Sequence, residues 1–129
     1  MYANEPTTLK ELEARGVGLR FKRGTVSFLA RRGPVTSKAQ VAGGLAVHRD
    51  HDGQDQLDTY TVTHVASGYA AVSCLPTYAA ARGAAHVLLD AYAHWDRPEK
   101  LIPARRLAPL CRRLRRLGEG VHGPQKGHA

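Results

Sequence analysis

Apolar residues recur at every second position between Val17 and Ala30, on both sides of the dipeptide Arg23-Gly24. Such alternation places the apolar side chains on one face of an extended strand, and glycine favours a turn. The segment therefore predicts a β-hairpin with its turn at Arg23-Gly24. Three basic residues are predicted to share the opposite, solvent face of this ribbon: Arg20, Lys22 and Arg31.

Two helices are predicted to flank this hairpin. Thr8 followed by Glu11 forms a capping-box pattern, which predicts a helix over residues 8–15. Apolar residues at helical spacing predict a second helix over residues 36–48. Gly43-Gly44 weakens this second helix, because two interior glycines cost about 2 kcal/mol relative to alanine. The helix either breaks at these glycines or gives way to a strand.

The segment LKELEARGVGLRFKRGTVSFLARRGPVT resembles the N-terminal docking domain of TubC type. That family occurs at the front of nonribosomal-peptide and polyketide synthase subunits and in other bacterial and mobile-element proteins. The resemblance covers residues 7–50 and rests on Leu9, Leu12, Gly16, Val17, Leu19, Phe28 and Gly33-Pro34-Val35-Thr36. It implies a helix, hairpin, helix unit whose exposed hairpin captures a short terminal motif of a partner chain, often within a dimer.

A second hairpin is predicted from LDTYTVTHV and YAAVSCL, which flank Ala66-Ser67-Gly68. Its register sets Cys74 opposite Tyr60. Pro76 and Thr77 then begin a helix with one buried side. The order strand, strand, helix occurs twice, so an internal repeat with a shared four-stranded sheet remains an open alternative.

The last predicted helix runs over residues 108–117, with Pro109 at its start and Gly118 after its end. Leucines and Cys111 fall on one side of it and arginines on the other. The predicted fold class is α+β, with two antiparallel hairpins packed against three to four helices. Residues 1–53 would form the docking-like unit, 54–118 the second hairpin with two helices, and 119–129 a flexible tail. Six residues are expected in the core: Phe21, Phe28, Tyr60, Val72, Leu88 and Trp95.

Charge favours an anionic partner, because 19 lysines and arginines stand against 11 acidic residues in 129 positions. A merely solvated basic surface is the competing interpretation. No apolar run approaches the roughly 20 residues of a membrane span, so we expect a cytoplasmic protein without membrane contact. The two cysteines, Cys74 and Cys111, stand far apart without metal-site spacing, and both are expected to be buried free thiols.

No pattern of catalytic residues is recognisable, and we expect a non-enzyme without cofactor or metal. The stretch HRDHDG lacks the companions of a kinase catalytic loop and has the wrong glycine position for a calcium loop. A metal held by His48, Asp50, His51 and Asp52 is a minor alternative to a polar loop. His86, Asp90 and His94 are predicted to form a surface ladder on a helix with Arg82.

Two functions remain, nucleic-acid binding and the docking of an acidic protein segment, and the first is favoured. A homodimer is compatible with both. The binding residues would come from the first hairpin and the last helix: Arg20, Lys22, Arg23, Arg31, Arg32, Arg105, Arg106, Arg112, Arg113 and Arg116.

Overall fold

A computed structural model describes residues 5–52 and 55–119 and contains one antiparallel sheet and three α-helices. The elements in chain order are α1 (Leu9–Arg15), β1 (Lys22–Ala30), β2 (Gly33–Ala42), β3 (Leu45–His51), β4 (Gln56–His64), β5 (Ala70–Leu75), α2 (Tyr78–Ala91) and α3 (Ala104–Glu119). The strand order β1-β2-β3-β4-β5 follows the chain, so each strand pairs with its sequence neighbour. The predicted α+β class is confirmed, with five strands in one sheet.

Helix α1 forms as predicted and is held by a complete capping box. Thr8 accepts from the backbone N–H of Glu11, and the Glu11 carboxylate accepts from the backbone N–H of Thr8. Hydrogen bonds from Thr7 and Thr8 keep the pKa of Glu11 below its ordinary value. Gly16 is the residue that ends the helix, and a single 3-10 turn over Gly16–Gly18 follows.

The predicted position of the first hairpin is wrong. Strand β1 runs straight through Arg23-Gly24, and the turn to β2 lies at Arg31-Arg32, followed by Gly33 with a φ of 131°. Gly24 lies within the strand rather than in a turn, and a Cβ there would make a tight contact of 3.1 Å with Val41 Cγ2. Alternation along β1 puts Lys22 on the face of Val26, not on the opposite one.

The predicted helix over residues 36–48 is also wrong, since this segment forms most of β2 and β3. Gly43-Gly44 makes the two-residue turn between them, with φ values of 58° and 91°. Positive φ at both turn residues is the geometry that matches the twist of antiparallel strands, and glycine adopts it without strain. Of the two alternatives considered for these glycines, the one in which the helix gives way to a strand comes closest to the observed structure.

The second hairpin forms where it is predicted, as β4 and β5, but its register differs. Tyr60 pairs with Leu75 rather than with Cys74, because the ladder shifts twice between Tyr60 and Thr63. Cys74 sits at one of these irregularities with a φ of 61° and is exposed, so its predicted burial is wrong. Cys111 is half-buried.

Helix α3 begins at Ala104, four residues before the predicted start at residue 108. Pro109 therefore lies inside the helix. A proline at this position removes one backbone hydrogen bond to the carbonyl of Arg105, and Pro109 itself is exposed. Loss of that single bond near the start of the helix is compatible with its continuation. The predicted flexible tail lies, apart from Glu119, outside the described residues.

The main core lies between one face of the sheet and the three helices. We call the sheet face that packs against the helices the outer face. It contributes Leu45, Val47 and Val62, which pack with Leu88 of α2. A smaller cluster of Val26, Ala39 and Ala46 lies on the opposite, inner face. Of the six predicted core residues, Val72, Leu88 and Trp95 are buried, whereas Phe21, Phe28 and Tyr60 are half-buried.

Helices α1 and α2 cross in close contact at two glycines. A Cβ on Gly83 of α2 would overlap the backbone carbonyl of Leu12, and one on Gly16 would lie 2.9 Å from the carbonyl oxygen of Ala79. The side chain of Leu12 is fully buried at this crossing. None of the described helices combines the length and apolar composition that a membrane crossing demands.

Candidate functional site

The sheet is strongly curled, and its strands are not paired along their full length. A Cβ on Gly68, in the turn between β4 and β5, would lie 2.8 Å from the carbonyl oxygen of Ser27 in β1, at the other end of the strand order. Within the described residues, β2 and β3 pair only over residues 40–42 and 45–47. The remainder of β2 therefore forms no ladder with β3.

An open cleft of about 1040 Å³ lies along this gap, and we call it the β2–β3 cleft. Its far end is bridged by the backbone N–H of Arg32, which donates to the carbonyl oxygen of Asp52 at 2.9 Å. The cleft is lined by basic side chains, neutral polar side chains and two tyrosines: Arg23, Lys38, Arg49, His51, Thr25, Thr36, Ser37, Gln40, Gln56, Tyr60 and Tyr78.

Two of the cations in the β2–β3 cleft are available to a ligand. Arg23 pairs with Gln40 in the ladder and Lys38 pairs with Thr25, so both side chains lie on the same face of the hairpin. Both are exposed, and no hydrogen bond or ion pair engages either side chain within the described part of the chain. Arg49 is already occupied, because its guanidinium donates to Asp58 at 3.0 Å and to the Leu57 carbonyl at 2.6 Å.

The opposite wall carries the two tyrosines. Their ring centroids are 5.2 Å apart at an interplanar angle of 59°. Tyr78 is the first residue of α2, whose N-cap Thr77 accepts from the backbone N–H of Ala80. Burial raises the pKa of Tyr78, and the nearby Arg82 opposes that rise. Both phenols stand on regular secondary structure, which fixes their positions.

Two buried side-chain atoms among the described residues have no hydrogen-bond partner: Gln40 Oε1 and Arg82 Nε. Gln40 lines the β2–β3 cleft. Arg82 lies one turn along α2 from Tyr78, with its guanidinium over the ring of Phe21 at 5.1 Å from the centroid. Buried polar atoms are usually hydrogen-bonded, so these two side chains retain unused polar capacity.

The inner face of the sheet holds a second cavity, of about 700 Å³, lined in part by His48 and Asp50. His48 stacks on Phe28, its Nδ1 donates to the Arg49 carbonyl at 3.0 Å, and its Nε2 accepts from Thr63 at 2.6 Å. Burial lowers the pKa of His48 and favours this neutral form. The Asp50 carboxylate accepts from two threonine hydroxyls of β4.

The residues considered as metal ligands do not form a metal-binding site among the described residues. No group of three or more His, Cys, Asp or Glu residues within 5–52 and 55–119 is arranged to hold a metal ion. On α2, His86 Nε2 lies 3.8 Å from Asp90, which also pairs with Arg15, so part of the predicted ladder forms. His94 lies beyond the end of α2 at Ala91 and does not continue it.

The predicted basic residues are distributed over several surfaces rather than one. Arg23 lines the β2–β3 cleft, whereas Arg20 and Lys22 line a separate shallow pocket beside α2. Arg31 and Arg32 form the tip of the first hairpin. Helix α3 packs against β5 and carries the other five: Arg105, Arg106, Arg112, Arg113 and Arg116.

Contacts on α3 divide its arginines into different classes. Arg106 lies over the ring of Tyr92 at 5.8 Å from the centroid. Arg112 lines a third cavity, of about 330 Å³, together with Cys111, whose pKa burial raises to about 11. Arg113 donates two hydrogen bonds to Glu5, at 2.7 and 2.9 Å. Arg105 and Arg116 are exposed.

Arg113 therefore has a structural partner, and removal of that partner's charge should affect stability. The Glu5 side chain is only 9 % exposed, so Glu5→Gln leaves a half-buried guanidinium with a weaker acceptor. We expect a loss of about 2 kcal/mol in the free energy of unfolding, measured by urea denaturation. Arg115→Gln is the control, because its pair with Glu119 is half-exposed and should be worth less than about 1 kcal/mol. Equal effects of the two changes would contradict this assignment.

Sequence reasoning missed most of the residues that line the β2–β3 cleft, among them Lys38, Tyr60 and Tyr78. Lys38 falls inside the predicted helix over residues 36–48, although the spacing of Val35, Ala39 and Val41 also fits one face of a strand. The sequence places Tyr60 in the core and Tyr78 on the buried side of a helix. No protein-family model, curated protein or solved structure matches this chain.

Proposed function

We propose that the protein is a non-catalytic nucleic-acid-binding protein and that the β2–β3 cleft is its binding surface. The observation that carries this proposal is the pair Arg23 and Lys38, two exposed cations on one wall of an open cleft that have no partner among the described residues. Hydroxyl and amide side chains accompany them, among them Thr25 and Gln40. Such groups are the usual donors to phosphate oxygens, which position a nucleic acid without reading its sequence. The net charge of +8 favours the encounter.

The salt dependence of binding tests this proposal. Affinity for a labelled oligonucleotide should fall steeply between 50 and 300 mM salt, because each neutralised phosphate releases condensed counterions. The double change Arg23→Gln with Lys38→Gln should weaken binding at every sequence alike. It should also flatten the slope of log affinity against log salt by roughly 0.7–0.9 for each phosphate that the variant no longer neutralises. Fluorescence anisotropy measures both quantities.

A matched control separates the cleft from helix α3. The double change Arg105→Gln with Arg116→Gln removes the same charge from exposed positions outside the cleft. We expect it to have much the smaller effect on affinity and slope. If the α3 variant binds more weakly than the cleft variant, the binding surface lies on α3 and the assignment to the cleft is rejected. Absence of any oligonucleotide binding at 50 mM salt rejects nucleic-acid binding itself.

Docking of an acidic protein segment is the second candidate function, favoured by the position of β1. This strand is at one edge of the sheet, so the backbone groups on the side away from β2 have no neighbouring strand among the described residues. Lys22 and Arg23 begin the strand. An extended acidic peptide could add to such an edge through main-chain hydrogen bonds, consistent with the resemblance to TubC-type docking domains. Its binding should depend more gently on salt than that of a nucleic acid, since a peptide has no comparable condensed counterion layer.

A further inference from the structure

The two walls of the β2–β3 cleft differ in chemistry. Arg23 and Lys38 stand on the hairpin wall, and their positive charge has no partner within the described part of the chain. Tyr60 and Tyr78 stand on the opposite wall, one from β4 and the other from α2. A ligand that spans this cleft meets cations on one side and aromatic rings on the other.

A single strand of nucleic acid has this same division, because its phosphates lie along one side and its unpaired bases are free on the other. In a duplex the base faces are stacked within the helix and cannot lie against a protein ring. Aromatic side chains beside a cationic groove are the general means by which proteins hold single strands. The two tyrosine rings are tilted at 59° to each other, so each offers a separate surface rather than forming one closed stack.

We infer that the β2–β3 cleft binds single-stranded nucleic acid in preference to duplex, with bases packed on Tyr60 and Tyr78 and phosphates on Arg23 and Lys38. This inference rests on the proposed function, because it names the form of nucleic acid that the same cleft takes. The mode of recognition is tolerant of sequence, since every base has an aromatic face.

Competition between the two forms of nucleic acid tests the preference. The probes are a fluorescent deoxythymidine single strand and a hairpin duplex of the same total length, each titrated with the full chain at 50 mM salt. The single strand should bind at least tenfold more tightly, because only it can stack on the tyrosines. Equal affinity for the two forms, or tighter binding of the duplex, overturns the inference.

Substitution of the tyrosines tests the contact itself. Tyr60→Leu and Tyr78→Leu keep an apolar side chain but remove the ring, and each should weaken single-strand binding about tenfold and weaken duplex binding much less. The conservative changes Tyr60→Phe and Tyr78→Phe keep the ring and should retain the wild-type affinity. Tyr69→Leu is the matched control, because Tyr69 is an exposed tyrosine that does not line the cleft. Unaltered single-strand affinity in both leucine variants contradicts the stacking role.

The outcomes separate this inference from the function on which it rests. If neither probe binds at 50 mM salt, nucleic-acid binding fails and the preference fails with it. If both probes bind equally and the leucine variants behave as wild type, the protein binds nucleic acid through phosphates alone. If a leucine variant does not fold, as judged by circular dichroism, the comparison of the two probes still decides the question.

Discussion

Replacement of Gly83 by alanine is expected to destabilise the protein by about 3 kcal/mol, although alanine is the better helix former by about 1 kcal/mol. The cause is steric. A methyl group on Gly83 would occupy the space of the Leu12 backbone carbonyl, and a backbone cannot move aside as a side chain can. Helices α1 and α2 would have to separate, exposing the buried Leu12 side chain. Urea denaturation followed by circular dichroism measures the change in stability.

The control for this prediction is the reverse exchange on the same helix. Ala79 is exposed near the start of α2, so Ala79→Gly should lose only the intrinsic helix propensity, about 1 kcal/mol or less. Both substitutions are then destabilising although they change propensity in opposite directions. A Gly83→Ala variant as stable as the wild type would mean that α1 and α2 do not cross as closely as described.

Trp95→Ala is expected to cost about 3–5 kcal/mol, the second large effect. The indole is 4 % exposed, donates its Nε1–H to the Leu88 carbonyl at 3.0 Å and makes edge contacts with His64 and Tyr92. Its removal leaves a cavity and takes away one of the two hydrogen bonds that the Leu88 carbonyl accepts, the other coming from the backbone N–H of Tyr92. Because Trp95 is the only tryptophan, unfolding should be followed by circular dichroism rather than by indole fluorescence.

Two further variants divide this effect into its parts. Trp95→Phe keeps most of the apolar volume but removes the hydrogen bond to Leu88, so its stability should lie between those of wild type and Trp95→Ala. Tyr69→Ala removes an aromatic side chain that is 64 % exposed and should change stability by less than about 0.5 kcal/mol. A Trp95→Ala variant with the stability of Tyr69→Ala would show that the indole is not part of the core.

Elements with strong local signals could be predicted from the sequence. The capping box predicts α1, and alternation on both sides of Ala66-Ser67-Gly68 predicts the second hairpin. The failures occur where one pattern supports two structures. Ala39, Val41 and Leu45 fit helical spacing, yet Val35, Ala39 and Val41 also fit a strand, and the tight turn at Gly43-Gly44 decides for the strand.

The candidate site is only partly predictable, because it depends on strands that stop pairing. Arg23 is among the predicted binding residues, but for a hairpin with a different turn. Nothing in the local pattern indicates that β2 leaves β3 after three residue pairs, since this follows from the curl of the whole sheet. Arg113 is predicted to contact a ligand, whereas its partner Glu5 lies 108 positions away in the chain. Pairings at such separation are a property of the folded chain.

The short pairing between β2 and β3 has a consequence for how the chain tolerates change. The hairpin of β1 and β2 packs with β3 through a small cluster of its own on the inner face, formed by Val26, Ala39 and Ala46. This cluster is distinct from the main core. Local opening of such a unit costs less than global unfolding. Substitutions on the hairpin wall of the cleft and substitutions at the crossing of α1 and α2 should therefore contribute additively to stability. The hairpin wall of the cleft, with Arg23 and Lys38, is free to vary in sequence without endangering the main core, whereas Tyr60 and Tyr78 on the opposite wall pack against that core.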